Sequence, residues 1–551
     1  MLVLALARVY LGPLNEGIHL KGHTPFFANT RQNDTTSFLS FLSFLSFLSF
    51  LSKKNIKDET QMTKTKTKRH DSDTHHKSAR RPHTTRTRTR TRTLHGRMKK
   101  TQLDETERKK FRPLCSKEHA KTVWLARYYC KEDEEKLEKI SMLDSYDDAN
   151  FLFHIRTKEN KEGNHEKKKA KKFILKFHNG VDSMEPNARL LDCHEFAMRW
   201  LSRFNICTSS VVHTNSGASR FDWTDSHSST NNDHNNNNNN NNINDSIEKK
   251  NQKTHAVKVL RYVEGTLLID VVNSLVEKPE EQKAFWRRVG EFVGIISETF
   301  LRWNPENPSI EEEAKTLYCT LATRESLWDV RNFEDVRMFL DALKSKGEGL
   351  IKDKNAIEQV FEWYEEHVNS IRNDTAKLRL SVIHNDLNES NVLVTASDWE
   401  ERVNNDSIDV LNDFACIDFG DICISWTVIE IATAMAYCAL ATPNAPLESC
   451  EKMLEGVAMT FTLNEHEIKV LPVLLMSRVA TSLVMGLYSH HFKADDTVSD
   501  NNEEKDKEEE FQDNTAYLLK SQQTGWNILK AFVQETPEKL ATAYAGIFGY
   551  I

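Results

Sequence analysis

Apolar residues fall along this chain in three regimes. Over residues 1–110 they follow no structural period: a Phe-Leu-Ser repeat at 38–52 gives way to Thr-Lys alternation at 63–68 and Thr-Arg alternation at 85–93. Alternating Thr and Arg has no apolar face to bury, so a disordered low-complexity extension is expected here. Met98 stands just before the globular pattern as an alternative start. From 116 to 138 the spacing of Val123, Trp124, Ala126, Tyr129 and Leu137 predicts a helix. The period then shortens to two. Residues 151–155 and 173–177 read as strands joined by a loop rich in Lys and Glu, 186–204 as a helix, and 256–260 as a further strand. An insertion at about 214–253 holds an Asn tract at 235–242. Beyond Gly265 helical spacing dominates, at 285–300, 336–343, 357–371, 426–440, 468–488 and 516–532, with an acidic loop at 495–510. Three divisions follow: 1–110, a strand-bearing lobe over 111–265, and a helical lobe over 266–551.

Composition narrows the class. The 551 residues leave room for a two-lobed enzyme with additions. With 39% apolar residues and a mean hydropathy of −0.59, a sizeable part of the chain stands outside any core. The net charge of −7 conceals a basic run at 53–112 and the acidic loop. Such a basic run either binds nucleic acid or membrane surfaces or is a solvated tail. The composition favours the tail, so no nucleic-acid partner is expected. Nine cysteines without a Cys-x-x-Cys pair fit a reducing compartment better than a disulfide framework or a zinc site. The Phe-Leu-Ser repeat, with a hydroxyl at every third position, falls short of the ~20 apolar residues that span a bilayer. Residues 1–11 do not complete a signal peptide. The expected location is cytoplasmic, with no membrane association and no obligate protein partner evident.

The chemistry lies in two phrases between the later helices. Residues 381–394 have the form apolar strand, His384-x-Asp386-x-x-x-x-Asn391, apolar strand; residues 415–421 are an apolar strand ending in Asp418-Phe419-Gly420-Asp421. Phosphoryl transfer from a nucleotide needs one carboxylate to position the attacking hydroxyl, and hard oxygen donors for the metal that neutralises the phosphates. Asp386 fits the first part, Asn391 and Asp418 the second. His384 is expected to pack and hydrogen-bond the loop. Lys176, at the end of its strand, can reach the α- and β-phosphates if an acid holds it, with Glu195 on the next helix preferred to Asp192 and Glu185. No Gly-x-x-x-x-Gly-Lys-Ser/Thr is present, which excludes the P-loop class, and no protein-kinase Gly-rich loop either. The segment from Ser145 to Asn150 would therefore cover the phosphates, through backbone N–H groups and these two side chains.

These phrases resemble those of the aminoglycoside phosphotransferase-like kinases, and within them the hydroxylysine kinase subgroup. The narrower resemblance rests on Ser145-Tyr146-Asp147-Asp148-x-Asn150-Phe151, Leu175-Lys176 and Tyr262-Val263-x-Gly265. It continues through the two catalytic phrases, Glu430, Ser477-Arg478, Ser482-Leu483-Val484-Met485 and Thr524-Gly525-Trp526, over about residues 117–543. It implies an α+β, protein-kinase-like two-lobed fold with a small β-rich lobe and a larger helical one. It implies transfer of the γ-phosphate of GTP, with Mg2+, to the side-chain hydroxyl of 5-hydroxy-L-lysine in amino-acid catabolism. Asp386 would be the catalytic base, Asn391 and Asp418 the metal ligands, and Lys176 the phosphate contact. Backbone at Tyr262 and Val263 would take the base edge. One departure stands out: Asn385 occupies a position where the family usually has Gly, and Asn tolerates a left-handed backbone better than most residues.

The acceptor carries two ammonium groups and a carboxylate. Asp421 and Glu430 could meet an ammonium and Arg478 the carboxylate, or Glu430 and Arg478 form a structural ion pair between helices. ATP in place of GTP, another amino alcohol (choline, homoserine or an aminoglycoside), or an inactive kinase-like binding module remain the alternatives. A mere scaffold would not need Asp386, Asn391 and Asp418 together.

Overall fold

The computed structural model describes residues 108, 110–128, 136–143, 145, 147–156, 171–224, 253–492 and 519–550. The repeat tracts of the first hundred residues, the Asn tract and the acidic loop lie outside them.

Helix α1 (Lys117–Arg127) starts at Ser116, whose hydroxyl accepts from the His119 N–H while the His119 ring accepts from the Ser116 N–H, a capping box. It lays Ala120, Val123 and Trp124 on an antiparallel sheet. The sheet comprises β1 (Lys136–Leu143), β2 (Ala149–Arg156) and β3 (Lys171–Phe177), then β7 (Thr254–Arg261) bordered by β5 (Val211–Val212) and β6 (Phe221–Thr224). Alternation in β2 sends Phe151, Phe153 and Ile155 inward, and Trp124 stacks on Phe153 with ring centroids 4.9 Å apart. Lys176 of β3 pairs across the strands with Asn150 on one side and Lys258 on the other, so all three share the opposite face.

Leu137 belongs to β1, not to the helix expected over 116–138. A bulge between Leu137 and Lys139 spaces Leu137, Ile140 and Met142 by three and then two, and so imitates helical periodicity. Strand β6 lies inside the expected insertion, where it hydrogen-bonds to β7. Arg108, assigned to the extension, is bound to Asp147 and Asp182 of the small lobe.

The helix expected over 186–204 is α2 (Leu190–Ser202), and it joins the other lobe's core. Phe196 meets Trp303 at 4.7 Å, and the Trp200 indole donates to the Thr299 carbonyl at 3.0 Å. Next along the chain, β4 (Cys207–Thr208) runs parallel to β11 (Phe414–Cys416), which β10 (Val392–Val394) and β8 (Thr266–Leu267) extend. Strands β9 (Leu380–Ile383) and β12 (Cys423–Trp426) form a second ribbon. Around these ribbons pack α3 (Pro279–Leu301), α4 (Thr427–Ala441), α5 (Pro446–Thr460) and α6 (Glu465–His491).

Among the described residues α6 alone is long and apolar enough to cross a bilayer; 94% of its most apolar stretch is buried within the protein, which makes it the core helix of the large lobe. Glycines let α3 and α5 touch backbone to backbone. A Cβ on Gly290 would stand 1.8 Å from the Met453 carbonyl oxygen, and one on Gly456 1.8 Å from that of Arg287. Because the obstruction is backbone, only separation of the helices relieves it. Gly290→Ala and Gly456→Ala should each cost about 3 kcal/mol or more. Gly347→Ala, with nothing within 4 Å, should be near neutral. Urea midpoints at unchanged m-value measure this.

Candidate active site

The loop between β9 and β10 carries the first phrase. Asn385 adopts φ +66°, the left-handed conformation its substitution for glycine was expected to tolerate. Its own N–H and that of the residue before it are clamped from behind. The Glu430 carboxylate, fully buried on α4, accepts the backbone N–H of His384 and, at 3.2 Å, that of Asn385. The His384 ring packs on Phe419 at 4.8 Å, with Nε2 3.1 Å from the Ile417 carbonyl. Burial pushes its pKa down to about 4, so it is neutral and structural, as expected.

Asp386 is held on both oxygens. Oδ1 accepts from Arg478 Nη2 at 3.0 Å, while Oδ2 accepts from Asn388 Nδ2 at 2.9 Å and Asn391 Nδ2 at 2.8 Å. The pairing of Val392 with Cys416 sets Asn391 and the Asp418 turn at the same end of the β10–β11 ribbon, and the Asn391 carbonyl accepts the Ile417 N–H at 2.9 Å. The Asp418 carboxylate accepts from Gly420 N–H at 3.3 Å and pairs with Lys176 across the cleft at 3.2 Å. Thus Asp386 and Asn391 of one loop, Asp418 of a second and Lys176 of β3 converge from three separate segments. Burial raises the Asp386 carboxyl to about 8; Arg478 opposes the rise, and Asp421 and Asp418 add to it. Asp418 moves the other way, because the Lys176 ammonium holds it below the ordinary carboxylate range.

Several expected partners are replaced. Lys176 pairs with Asp148 of the β1–β2 loop at 3.0 Å, and not with Glu195. The acids on and before α2 are turned elsewhere: Asp192 to Arg220, Glu185 to Arg189, and Glu195 into the field of Lys258 and Arg199. That helix is locked into the large lobe, and it meets the sheet through Lys258, whose ammonium donates to the Leu191 carbonyl. Glu430 is not presented to substrate, and no ion pair links it directly to Arg478 among the described residues; it closes the catalytic loop. Arg478 is not a free clamp for a carboxylate. It is 2% exposed, donates to the Trp328 carbonyl at 2.7 Å, to the Tyr437 hydroxyl at 3.0 Å and to Asp386, and lies over both aromatic rings.

Ser145 Oγ accepts from the Asp148 N–H at 3.3 Å, and Asn150 keeps a buried Oδ1 with no partner beside Lys176. The Tyr262 N–H is taken by the Lys172 carbonyl at 3.2 Å, which leaves Val263 the freer of the two for a base edge. Asp421 is about one-third exposed, 3.9 Å from Arg324. Arg324, which no sequence signal marked, donates to the Gly420 and Ile422 carbonyls at 2.6 and 2.7 Å and so fixes the Asp-Phe-Gly-Asp turn. Tyr437 had a signal: it follows Glu430 by seven residues on α4, the same helical face.

No group of three or more His, Cys, Asp or Glu residues among those described forms a metal cluster. Two hard donors remain open nonetheless. Asn391 commits its Nδ2 to Asp386, which leaves Oδ1, and Asp418 commits Oδ1, which leaves Oδ2. Magnesium retains water and substrate phosphates in most of its shell, so two protein oxygens suit it.

Removing Arg478 should act on turnover before binding. Arg478→Lys keeps the charge but loses the fork that reaches Asp386, Tyr437 and Trp328 together. We expect kcat to fall about 100-fold with both KM values within about 3-fold, measured by steady-state kinetics. Glu430 predicts a pH effect on stability. Burial raises its pKa to about 7, so its contribution is full below about 4.5 and is lost as pH rises through about 7. Glu430→Gln should flatten this fall in denaturation curves between pH 5 and 8, at a cost of about 1–3 kcal/mol for the lost acceptor.

Residues 243–449 match the family model described as "Phosphotransferase enzyme family". Hydroxylysine kinase of Mus musculus is 23% identical over 397 residues, covering 72% of this chain and 84% of that protein. Hydroxylysine kinase of Bos taurus is 23% identical over 398 residues, with the same coverage. Among solved structures, an amicoumacin kinase in complex with AMP-PNP, Ca2+ and Ami aligns at a TM-score of 0.42 and 11% identity, covering 77% of this chain and 94% of that one. With the family match running through both catalytic phrases, the chain is a phosphotransferase with an alcohol group as acceptor, similar to the aminoglycoside phosphotransferase-like kinases and, within them, to the hydroxylysine kinases.

Proposed function

We propose that this chain transfers the γ-phosphate of GTP to the side-chain hydroxyl of 5-hydroxy-L-lysine, with Mg2+, in the cytoplasm. One observation carries the reading: a carboxylate, Asp386, held on both oxygens beside the Lys176–Asp418 pair. The names of the curated relatives support the acceptor. Asp386 orients the hydroxyl, and its raised pKa suits it to take the proton as oxygen bonds to the γ-phosphorus and the bond to the β–γ bridging oxygen breaks. Asn391 and Asp418 would hold the magnesium, which would neutralise phosphate charge when bound. Lys176 meets the α- and β-phosphates, with Ser145 and Asn150 in the loop above them. Tyr262 and Val263 border the base. Asp421 faces an acceptor ammonium.

A quaternary ammonium such as choline would call for an open aromatic cage. The Trp328 and Tyr437 rings already lie against the guanidinium of Arg478, the partner of Asp386, which favours an acceptor read by charge and hydrogen bonds. The test is a panel of 5-hydroxylysine, choline, ethanolamine, homoserine and an aminoglycoside, each with GTP and ATP. Hydroxylysine with GTP should give the highest kcat/KM, and Asp386→Asn should lower it by at least about 10³-fold. A higher kcat/KM for another acceptor or for ATP displaces that part of the reading, and phosphorylation undiminished in the variant displaces Asp386.

A further inference from the structure

We propose that Asp148, on the loop that covers the phosphates, is the positioning residue for Lys176, in the place that an acid on the following helix was expected to fill. This deepens the proposed phosphoryl transfer and rests on it.

Three independent features carry the inference. Asp148 is anchored before it meets the lysine: Oδ1 accepts the backbone N–H of buried Asn179 at 2.8 Å, and its own N–H is held by Ser145 Oγ. That leaves Oδ2 aimed at Lys176 Nζ, 3.0 Å away, with the acid only 9% exposed. The loop is itself tied down, since Arg108 bridges its Asp147 to Asp182. Finally, the helix is unavailable. Glu195 makes no ion pair with Lys176 among the described residues, and α2 belongs to the core of the large lobe.

The consequence is mechanical. Where a lysine is paired with a helix, a shift of that helix can break the pair. Here the lysine and its acid sit on one sheet and the loop joining its strands, so the phosphate grip travels with the loop. Asp148 shares the lysine with Asp418, which keeps Lys176 Nζ between the loop and the Asp-Phe-Gly turn. Removing the Asp148 charge leaves Asp418 the sole acid on Lys176 and draws the ammonium from the phosphates toward the metal-side oxygens.

A double-mutant cycle on the full-length chain tests this, with Asp148→Asn, Lys176→Met and the pair, read as kcat for acceptor phosphorylation and for nucleotide hydrolysis with water as acceptor. Asp148→Asn preserves the acceptor for Asn179. It should lower both rates about 10-fold or more, with acceptor KM within about 2-fold, and should cost nothing further once Lys176 is Met. A merely structural Asp148 would cost the same in both backgrounds, and that result overturns the inference. Glu195→Gln provides a second arm should Asp148→Asn not fold: its rates should match wild type, and a 10-fold loss there returns the role to the helix. Wild-type protein with neither activity on any nucleotide would overturn the proposed function along with this inference. Hydrolysis with a normal Asp148→Asn rate overturns the inference alone.

Discussion

A carboxylate brought out of water beside two others is stable only when cations and amides are aimed at it, and the architecture around Asp386 meets that requirement. Arg478 supplies the charge, Asn388 and Asn391 supply amides, and Lys176 neutralises Asp418 from the other lobe. Arg478 is itself buried, so its cost of desolvation is offset by Asp386, the Trp328 carbonyl and two aromatic faces. Removing Arg478 leaves Asp386 without its cation, and removing Lys176 does the same to Asp418. The cluster therefore dictates where α6, α4 and both ribbons must stand.

The lobes are stitched more tightly than a simple division at Gly265 implies. α2 and β4 leave the small lobe and become part of the large one, through Trp200, Phe196 and the parallel pairing of β4 with β11. The small sheet that remains has its own aromatic core around Trp124. Contact between it and the catalytic ribbons at the site runs through Lys176 and Asp418. Motion of the sheet relative to the ribbons would thus be felt first at Lys176.

Glu430 illustrates how a charged residue near a site need not face it. Its two oxygens hold the N–H groups of a left-handed residue and of the residue before it, a conformation that a non-glycine side chain adopts at some cost. Arg324 performs the corresponding service for the Asp-Phe-Gly-Asp turn through two carbonyls. Both act on backbone, which is why neither announces itself by residue type.

Much of the site was legible without coordinates, because residues that share a loop are brought together by the loop itself. His384-x-Asp386 with Asn391 five positions on, and Asp418 at a strand end, needed only the return of the chain to a strand. Likewise the alternation at 151–155 and 173–177 fixed which side chains face the small core, since the strand period leaves no other choice. Where the period was broken, by the bulge at Leu137, the same reasoning took a strand for a helix. The partners of Lys176, Glu430 and Arg478 were beyond reach, as each lies 28 to 242 residues away along the chain, across a strand, helix or lobe contact. Pairing at that range follows from which surfaces pack, and from the penalty on a buried charge without a counter-ion, so only the tertiary structure decided it.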